Sequence, residues 1–229
     1  MSVSAPKLEA ARATTGREPW LRHGGASDLY PTTVGRTWTY QTHQTQGEAP
    51  EKPGKEQRLE ISRHVPDGAV MRRFYGSWEA PATLIRKSAE EVRLSRFFAD
   101  APSATESIAI LRFPLQVGAV WPGRSFPRAT ESIEVVGQER ITVPAGTFDA
   151  WHLRHVLTYA AGGGDDLDYW YAAGVGMVQA IERVTLMSGE KPLHTRVRAL
   201  LAGYGPMVRT TSRDWDRCAQ SRLGPRCRP

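Results

Sequence analysis

The chain has 229 residues and a mass of 25.4 kDa, long enough to bury a large core without disulfides or a metal. Its apolar fraction of 40% and charged fraction of 24% are typical of a folded globular protein. The mean hydropathy is −0.43 and no apolar run approaches about 18 residues, so the sequence excludes a membrane-spanning helix.

The net charge of +6 is concentrated near the C-terminus. Residues 209–229 contain six arginines against two aspartates and so carry +4 of it. Two interpretations stay open: a solvated tail that aids solubility, or a tail that binds an anionic surface or nucleic acid through nonspecific charge attraction. The near-neutral remainder predicts no specific nucleic-acid partner.

The first 29 residues are rich in Ala, Arg, Gly and Thr and are predicted to form a mobile arm. They lack the apolar segment of about 7 to 15 residues that a secretory signal requires. The sequence therefore indicates a cytoplasmic protein if its first residue is the true start, or an exported protein whose leader precedes it.

From residue 30 onward, short runs rich in Val, Ile, Thr and aromatics alternate with turn residues. Alternation places Leu59 and Ile61 on one strand face, and Trp38 and Tyr40 likewise. The predicted strands are 37–42, 58–64, 69–77, 82–87, 90–98, 106–113, 130–143, 148–160, 167–172, 176–187 and 192–203. Because no long helical segment separates them, the fold class is mainly β, an antiparallel, strongly curved open sheet or half-barrel.

One motif occurs twice, 83 residues apart, as aromatic, Pro, two variable residues, Val, Gly, two variable residues and Trp. Proline keeps the entry extended, glycine permits a tight turn, and the indole enters the core. The matched residues are Pro31, Gly35 and Trp38, and Pro114, Gly118 and Trp121. The repeat predicts one domain, 30–204, with similar halves 30–112 and 113–204 and a tail at 205–229, although convergent turn chemistry is an alternative.

Two further motifs are interpreted as structural turns. In Val-Pro-Ala-Gly-Thr-Phe, Pro144 presets φ and Gly146 accepts a left-handed conformation between two strands. In Trp-Tyr-Ala-Ala-Gly-Val-Gly, Gly174 and Gly176 lack the third glycine and following helix of a dinucleotide loop. Neither motif predicts a cofactor.

The order of the segments 113–121, 141–148 and 170–178 resembles that of bacterial extracytoplasmic proteins of unknown function. The resemblance covers about residues 30–203. It implies the open curved sheet of lipoprotein carriers, a periplasmic or cell-envelope location, and no catalytic residues. The motifs themselves are structural in that family.

Candidate chemical groups are few. His152 and His155 lie three apart on a predicted strand, so they point to opposite faces and cannot share a metal. Three carboxylates in residues 162–168 lack the spacing of an EF-hand and indicate a solvated hairpin loop rather than a calcium site. No Gly-x-Ser-x-Gly, Walker or His-Glu-x-x-His motif occurs, and no metal or cofactor is predicted.

The two cysteines, Cys218 and Cys227, are nine residues apart around a Gly-Pro turn. A disulfide between them would close a local loop and would fit an exported protein, because disulfides rarely persist in cytosol. Two free thiols are the alternative.

Aromatic residues are abundant, with seven Trp and seven Tyr. They stabilise a sheet core, but an open curved sheet also leaves a concavity that rings can line. The predicted ligand-binding residues are Trp38, Tyr40, Trp121, Trp151, Trp170 and Tyr171.

Three functions follow. The first is a noncatalytic envelope-type β domain that binds an apolar ligand or a partner protein in an aromatic concave face. The second is a small-molecule hydrolase or isomerase, in which His64, His152 or His194 would meet an acid inside a pocket. The third is binding through the basic tail. The sequence leaves the oligomeric state open.

Overall fold

The computed structural model describes residues 29–98, 101–102, 107–126, 128–188 and 191–206, which form strands and short connections. The strands are β1 (Arg36–Gln46), β2 (Lys52–Pro53), β3 (Gln57–Val65), β4 (Gly68–Tyr75), β5 (Trp78–Lys87), β6 (Glu91–Phe98), β7 (Ala101–Pro102), β8 (Ile108–Arg112), β9 (Val120–Phe126), β10 (Ala129–Val143), β11 (Gly146–Tyr159), β12 (Gly164–Ala172), β13 (Gly176–Ser188) and β14 (Lys191–Pro206).

All the strands belong to one antiparallel sheet, which confirms the predicted fold class. The hydrogen-bonded order is β7-β6-β5-β4-β3-β1-β14-β13-β12-β11-β10-β9, with β8 on β6 and β2 on β1. Two meanders are joined where β1 pairs with β14, from Arg36 opposite Pro206 to Gln46 opposite Thr195. The predicted division into two similar halves stays a prediction.

The sheet curls until its two ends meet in a nearly closed barrel with an unsealed seam. The ends are β8, held on β6, and β9, held on β10. No backbone ladder joins β8 to β9 in the described part of the chain. A side chain bridges them instead, because the Trp121 indole N–H donates to the Ala109 carbonyl at 2.8 Å.

Alternation along the strands fills the interior with apolar side chains. On β10, the buried positions Ala129, Glu131, Ile133 and Val135 alternate with exposed ones. Glu131 is the exception among these buried positions, because its side chain is ionisable.

The turn inside the duplicated motif has the same backbone geometry in both copies, whereas the aromatic–proline peptide before it is cis at Phe113–Pro114 and not at Tyr30–Pro31. The Arg36 amide donates to the Thr33 carbonyl at 3.0 Å around Gly35, whose φ is +83°. The Ala119 amide donates to the Gln116 carbonyl at 3.0 Å around Gly118, whose φ is +82°. A positive φ at the third turn position is the mark of a type II turn and favours glycine.

The tip of the β10–β11 hairpin packs on β14. The Ala145 amide donates to the Leu201 carbonyl at 2.9 Å, and the Phe148 ring meets Tyr204 edge-on at 6.1 Å. The Val-Pro-Ala-Gly-Thr-Phe motif therefore fixes this hairpin against the junction of the two meanders.

Two strands differ from their predictions because proline interrupts them. The strand β9 was not predicted, and Pro122 and Gly123 lie inside it. The strand β5 begins at Trp78 rather than at residue 82 and contains Pro81, a residue that is unfavourable inside a sheet. Both prolines lie at or beside register irregularities, where a missing backbone donor is tolerated.

Within the described residues, no helix has the length and apolar character needed to cross a membrane. Residues 1–28 of the predicted arm 1–29, residues 207–229 of the predicted tail 205–229, and with them Cys218 and Cys227, lie outside the described residues.

Candidate functional site

The interior of the sheet encloses a cavity of about 370 Å³, here called the inner cavity. Aliphatic side chains from several strands form part of its wall, including Leu59, Met71, Ile108 and Ile110. Ile108 and Ile110 belong to β8 and Arg124, which also lines the cavity, belongs to β9, so the cavity lies beside the seam.

Aromatic side chains form another part of the wall, and two of them are hydrogen-bonded to the backbone. The Trp38 indole N–H donates to the Val175 carbonyl at 2.6 Å, and the Tyr40 hydroxyl donates to the Met177 carbonyl at 2.9 Å. These bonds leave the ring faces as an apolar surface toward the cavity.

Burial keeps the tyrosines of this wall neutral. It raises the pKa of Tyr30 to about 12, against a smaller opposing effect of Arg73. Burial also raises the pKa of Tyr40 and Tyr171 well above the ordinary value for a phenol.

A buried ionic group lies beside the inner cavity. The Glu131 carboxylate, whose side chain is fully buried, accepts hydrogen bonds from the Arg124 amide at 2.8 Å and from Arg124 Nε at 3.0 Å. Its other oxygen lies 3.1 Å from Nδ1 of His155. Burial alone would raise the pKa of Glu131, but the hydrogen bonds from His155 and Arg124 outweigh it and lower that pKa to about 2.

The orientation of His155 follows from this pairing. An ionised Glu131 can only accept, so Nδ1 of His155 carries the proton that it donates. The ring is 3% exposed and lines the inner cavity, and its Nε2 is buried with no hydrogen-bond partner. The edge-on ring of Tyr169, at 4.9 Å, holds the imidazole in place.

A guanidinium also lines the same cavity. Arg73 on β4 has a buried Nε without a hydrogen-bond partner. Burial lowers the pKa of Arg73, but its interactions with Tyr75, which include a side-chain hydrogen bond, outweigh burial and raise that pKa. Among the described residues, no carboxylate lies within ion-pair distance of it.

Arg73 also borders a second, adjoining cavity of about 340 Å³. Tyr169 and Met177 line both cavities, so these three residues mark the boundary between them. On the adjoining side Glu182 accepts a hydrogen bond from the Tyr169 hydroxyl at 3.1 Å.

His152 lies on the opposite face of β11 from His155, as predicted. Its Nε2 is 2.7 Å from Asp168 and its Nδ1 is 3.1 Å from Glu139. The ring stacks on Trp170 at 4.4 Å. Burial raises the pKa of Asp168, but the hydrogen bonds from Arg183 and His152 outweigh it, so the pKa lies below the ordinary value.

The other predicted groups are separate from the inner cavity. His64 Nε2 lies 2.8 Å from the Thr32 carbonyl, and His194 Nδ1 lies 3.1 Å from the Thr185 hydroxyl, both at exposed positions. Asp165 accepts a hydrogen bond from Tyr159, Asp166 pairs with Arg154, and Arg183 contacts both Asp166 and Asp168. The described residues contain no group of three or more ligands suited to a metal ion.

The six predicted ligand-binding residues divide between two environments. Those that line the inner cavity are Trp38, Tyr40 and Tyr171. Those that are not among its described lining residues are Trp121, Trp151 and Trp170. Ligand binding by any of them stays a prediction.

Sequence reasoning missed the polar residues of the cavity. Glu131 could have been noticed, because it occupies a buried phase of the β10 alternation between Ala129 and Ile133. Arg73 and Arg124 carry no such signal, since the sequence does not show that β4 and β9 face each other across one interior.

No family model and no curated protein matches the chain. It is similar to two solved structures. One is a "putative exported protein with YmcC-like fold" from Bacteroides fragilis, with a TM-score of 0.48 and 15% identity over 78% of this chain and 99% of that one. The other is a "putative lipoprotein" from Parabacteroides distasonis, with a TM-score of 0.47 and 13% identity over 78% of this chain and 98% of that one.

Proposed function

We propose that the protein is a noncatalytic β domain of the cell envelope that binds an apolar ligand in its inner cavity. The observation that carries this proposal is an interior space of about 370 Å³ with an aliphatic and aromatic wall. Ligand pockets of proteins are of this size and character, with a few polar groups placed among apolar ones.

The wall is rigid, which supports binding rather than collapse. Trp38 and Tyr40 are each fixed by a hydrogen bond to a backbone carbonyl of the segment 175–177. A preformed apolar cavity binds a ligand without first ordering its own side chains.

The envelope location in this proposal rests on the three sequence motifs. Membership of the extracytoplasmic family that they resemble is part of the same proposal. The alternative is that the concave face binds a protein partner instead of a small ligand. A partner chain is too large for the inner cavity, so binding of a small probe there favours the small ligand.

The test is a fluorescence titration of the full chain with diphenylhexatriene, a neutral apolar probe. Thr83 lines the inner cavity, so Thr83→Phe fills part of it and should weaken probe binding by about ten-fold or more. Thr158 is exposed on β11, so Thr158→Phe is the matched control and should bind the probe as the wild type does.

Probe binding that is absent from the wild type, or that Thr83→Phe and Thr158→Phe change equally, would contradict the proposal. Far-ultraviolet circular dichroism of both variants shows that the fold is retained and that the difference arises at the cavity.

A second candidate is an enzyme in which His155 acts as a general base. The observation that favours it is the pairing of Nδ1 with Glu131, which leaves the lone pair of neutral Nε2 at the cavity. Hydrolysis of short apolar esters that His155→Gln abolishes, while diphenylhexatriene still binds, would support it. No turnover by the wild type would count against it.

A further inference from the structure

The inner cavity holds basic groups that an apolar ligand alone does not explain. Its charged lining residues are arginines, namely Arg73, Arg96 and Arg124, and no aspartate or glutamate is among the described lining residues. Aliphatic side chains such as Leu59 and Met71 share the same wall. The cavity is therefore amphipathic, with positive charge at its polar part.

Resting on the proposed function, we infer that the ligand is an anionic amphiphile whose carboxylate or phosphate group binds Arg73. A guanidinium inside a protein normally has a paired anion, because an isolated buried charge is strongly disfavoured. Around Arg73 lie Tyr75, which shares a side-chain hydrogen bond with it, and Tyr30 and Tyr169, and none of these is a carboxylate that could serve as its counter-ion.

The other two arginines of the cavity, Arg124 and Arg96, already have partners within the chain. Arg124 is neutralised by Glu131, with which it forms two hydrogen bonds. Arg96 has an interaction of its own in the structure. Arg73 has a hydrogen bond to Tyr75, but its buried Nε has no partner and no carboxylate of the described residues pairs with it, so it is the cation to which we assign the anion.

Two further groups help to locate the anion. His155 lines the same cavity, and its buried Nε2 has no hydrogen-bond partner. Tyr169 contacts the His155 ring and lines both cavities beside Arg73. The anionic group then lies at the boundary of the two cavities, and the apolar chain extends along Leu59, Met71 and Ile110.

The test compares four probes with the same decyl chain and different head groups. Decanoate and decyl phosphate are anionic, decanol is neutral and decyltrimethylammonium is cationic. Each is titrated against the full chain carrying diphenylhexatriene, and displacement of the probe reports affinity. One or both anionic probes should displace it at about ten-fold lower concentration than decanol, since a charge-assisted hydrogen bond has roughly that effect.

Arg73→Met keeps the length of the side chain and removes its charge. It should abolish the preference for the anionic probes while decanol binds as before. The control is Arg58→Met, because Arg58 stacks on Phe74 at 4.3 Å and is not among the lining residues of the inner cavity. This variant should keep the preference.

The outcomes separate this inference from the function on which it rests. Equal displacement by decanol and both anions, or a preference that survives in Arg73→Met, overturns the anionic ligand and leaves apolar binding in place. A wild type that binds neither diphenylhexatriene nor any decyl probe overturns both. If Arg73→Met does not fold, the head-group comparison on the wild type still decides, and decanoate against decyl phosphate distinguishes a carboxylate from a phosphate ligand.

Discussion

Gly123 leaves the space in which the carboxylate of Glu131 lies. A Cβ at Gly123 would come within 2.7 Å of the carboxyl carbon of Glu131. The two residues oppose each other at the β9–β10 irregularity, where Thr130 pairs with Ser125 and Ser132 with Pro122. The bulge therefore aims Glu131 at Arg124 and His155, as bulges beside functional sites often do.

The first prediction is that Gly123→Ala destabilises the fold by about 1 to 3 kcal/mol. The added methyl displaces Glu131, whose side chain is fully buried and held by Arg124 and His155, so the displacement weakens a buried ionic network. Urea unfolding of the variant and the wild type measures the difference.

Gly137→Ala is the matched control on the same strand, because a Cβ at Gly137 meets nothing within 4 Å. It should change the free energy of unfolding by less than about 0.5 kcal/mol. Equal effects of the two substitutions would show that the space beside Glu131 is not what Gly123 provides.

The second prediction concerns the pH dependence of stability. The pKa of Glu131 is lowered from 4.5 to about 2 in the folded chain, so its contribution is present above pH 4.5 and is lost as pH falls toward 2. The shift corresponds to roughly 3 kcal/mol. Unfolding measured in urea across this pH range follows the loss.

Glu131→Gln removes this titration and keeps the shape of the side chain. The difference between wild type and variant should be largest above pH 4.5 and shrink as pH falls toward 2. Other carboxylates with lowered pKa values, such as Asp168, titrate in both proteins and cancel in the difference. A difference independent of pH would contradict the assignment of the shift to Glu131.

Local sequence patterns predicted the sheet because its strands obey the alternation of buried and exposed side chains. Trp38 and Tyr40 are both buried on β1, and Leu59 and Ile61 on β3. The strand β9 was not predicted, because Pro122 and Gly123 are residues typical of turns. That segment is a strand because it pairs with β10.

The site was less accessible to sequence reasoning, because it depends on which strands face each other. The rings of Trp38 and Tyr171 could be proposed as cavity walls from their type alone. The pairing of His155 with Glu131, 24 residues away, needs the register in which Glu131 and Leu157 lie opposite each other. No local spacing encodes that register.

The third prediction tests the duplicated turn. Gly35→Ala and Gly118→Ala should each lower the free energy of unfolding by about 1 to 2 kcal/mol, and the two effects should be nearly equal. The reason is that each glycine has a positive φ and that a Cβ at either position would meet no atom within 4 Å. Strain of the backbone is then the only cause. Gly203→Ala, which also has open space but no positive φ, should be nearly neutral in the same denaturant experiment. Clearly unequal costs at the two turns would contradict their equivalence.

The last prediction concerns the two motif tryptophans. Trp38 and Trp121 are 3% and 5% exposed, and each indole N–H donates to a backbone carbonyl, of Val175 and of Ala109 respectively. Replacement by Phe removes the donor, leaves that carbonyl unsatisfied and opens a void, at a cost of about 2 to 4 kcal/mol for each variant.

The exposed Trp78 provides the control, since it is 57% exposed and stacks on Tyr75 at 5.6 Å. Trp78→Phe should change the melting temperature little, whereas both motif variants should lower it clearly.

The two motif tryptophans also differ in the strands that they connect. Trp38 joins β1 to the segment before β13, and Trp121 bridges the seam between β8 and β9. Because no backbone ladder reinforces that seam in the described chain, Trp121→Phe should also speed amide hydrogen exchange in β8, and Trp38→Phe should not. Unchanged exchange in β8 of the Trp121 variant would show that the seam is held by something other than this indole.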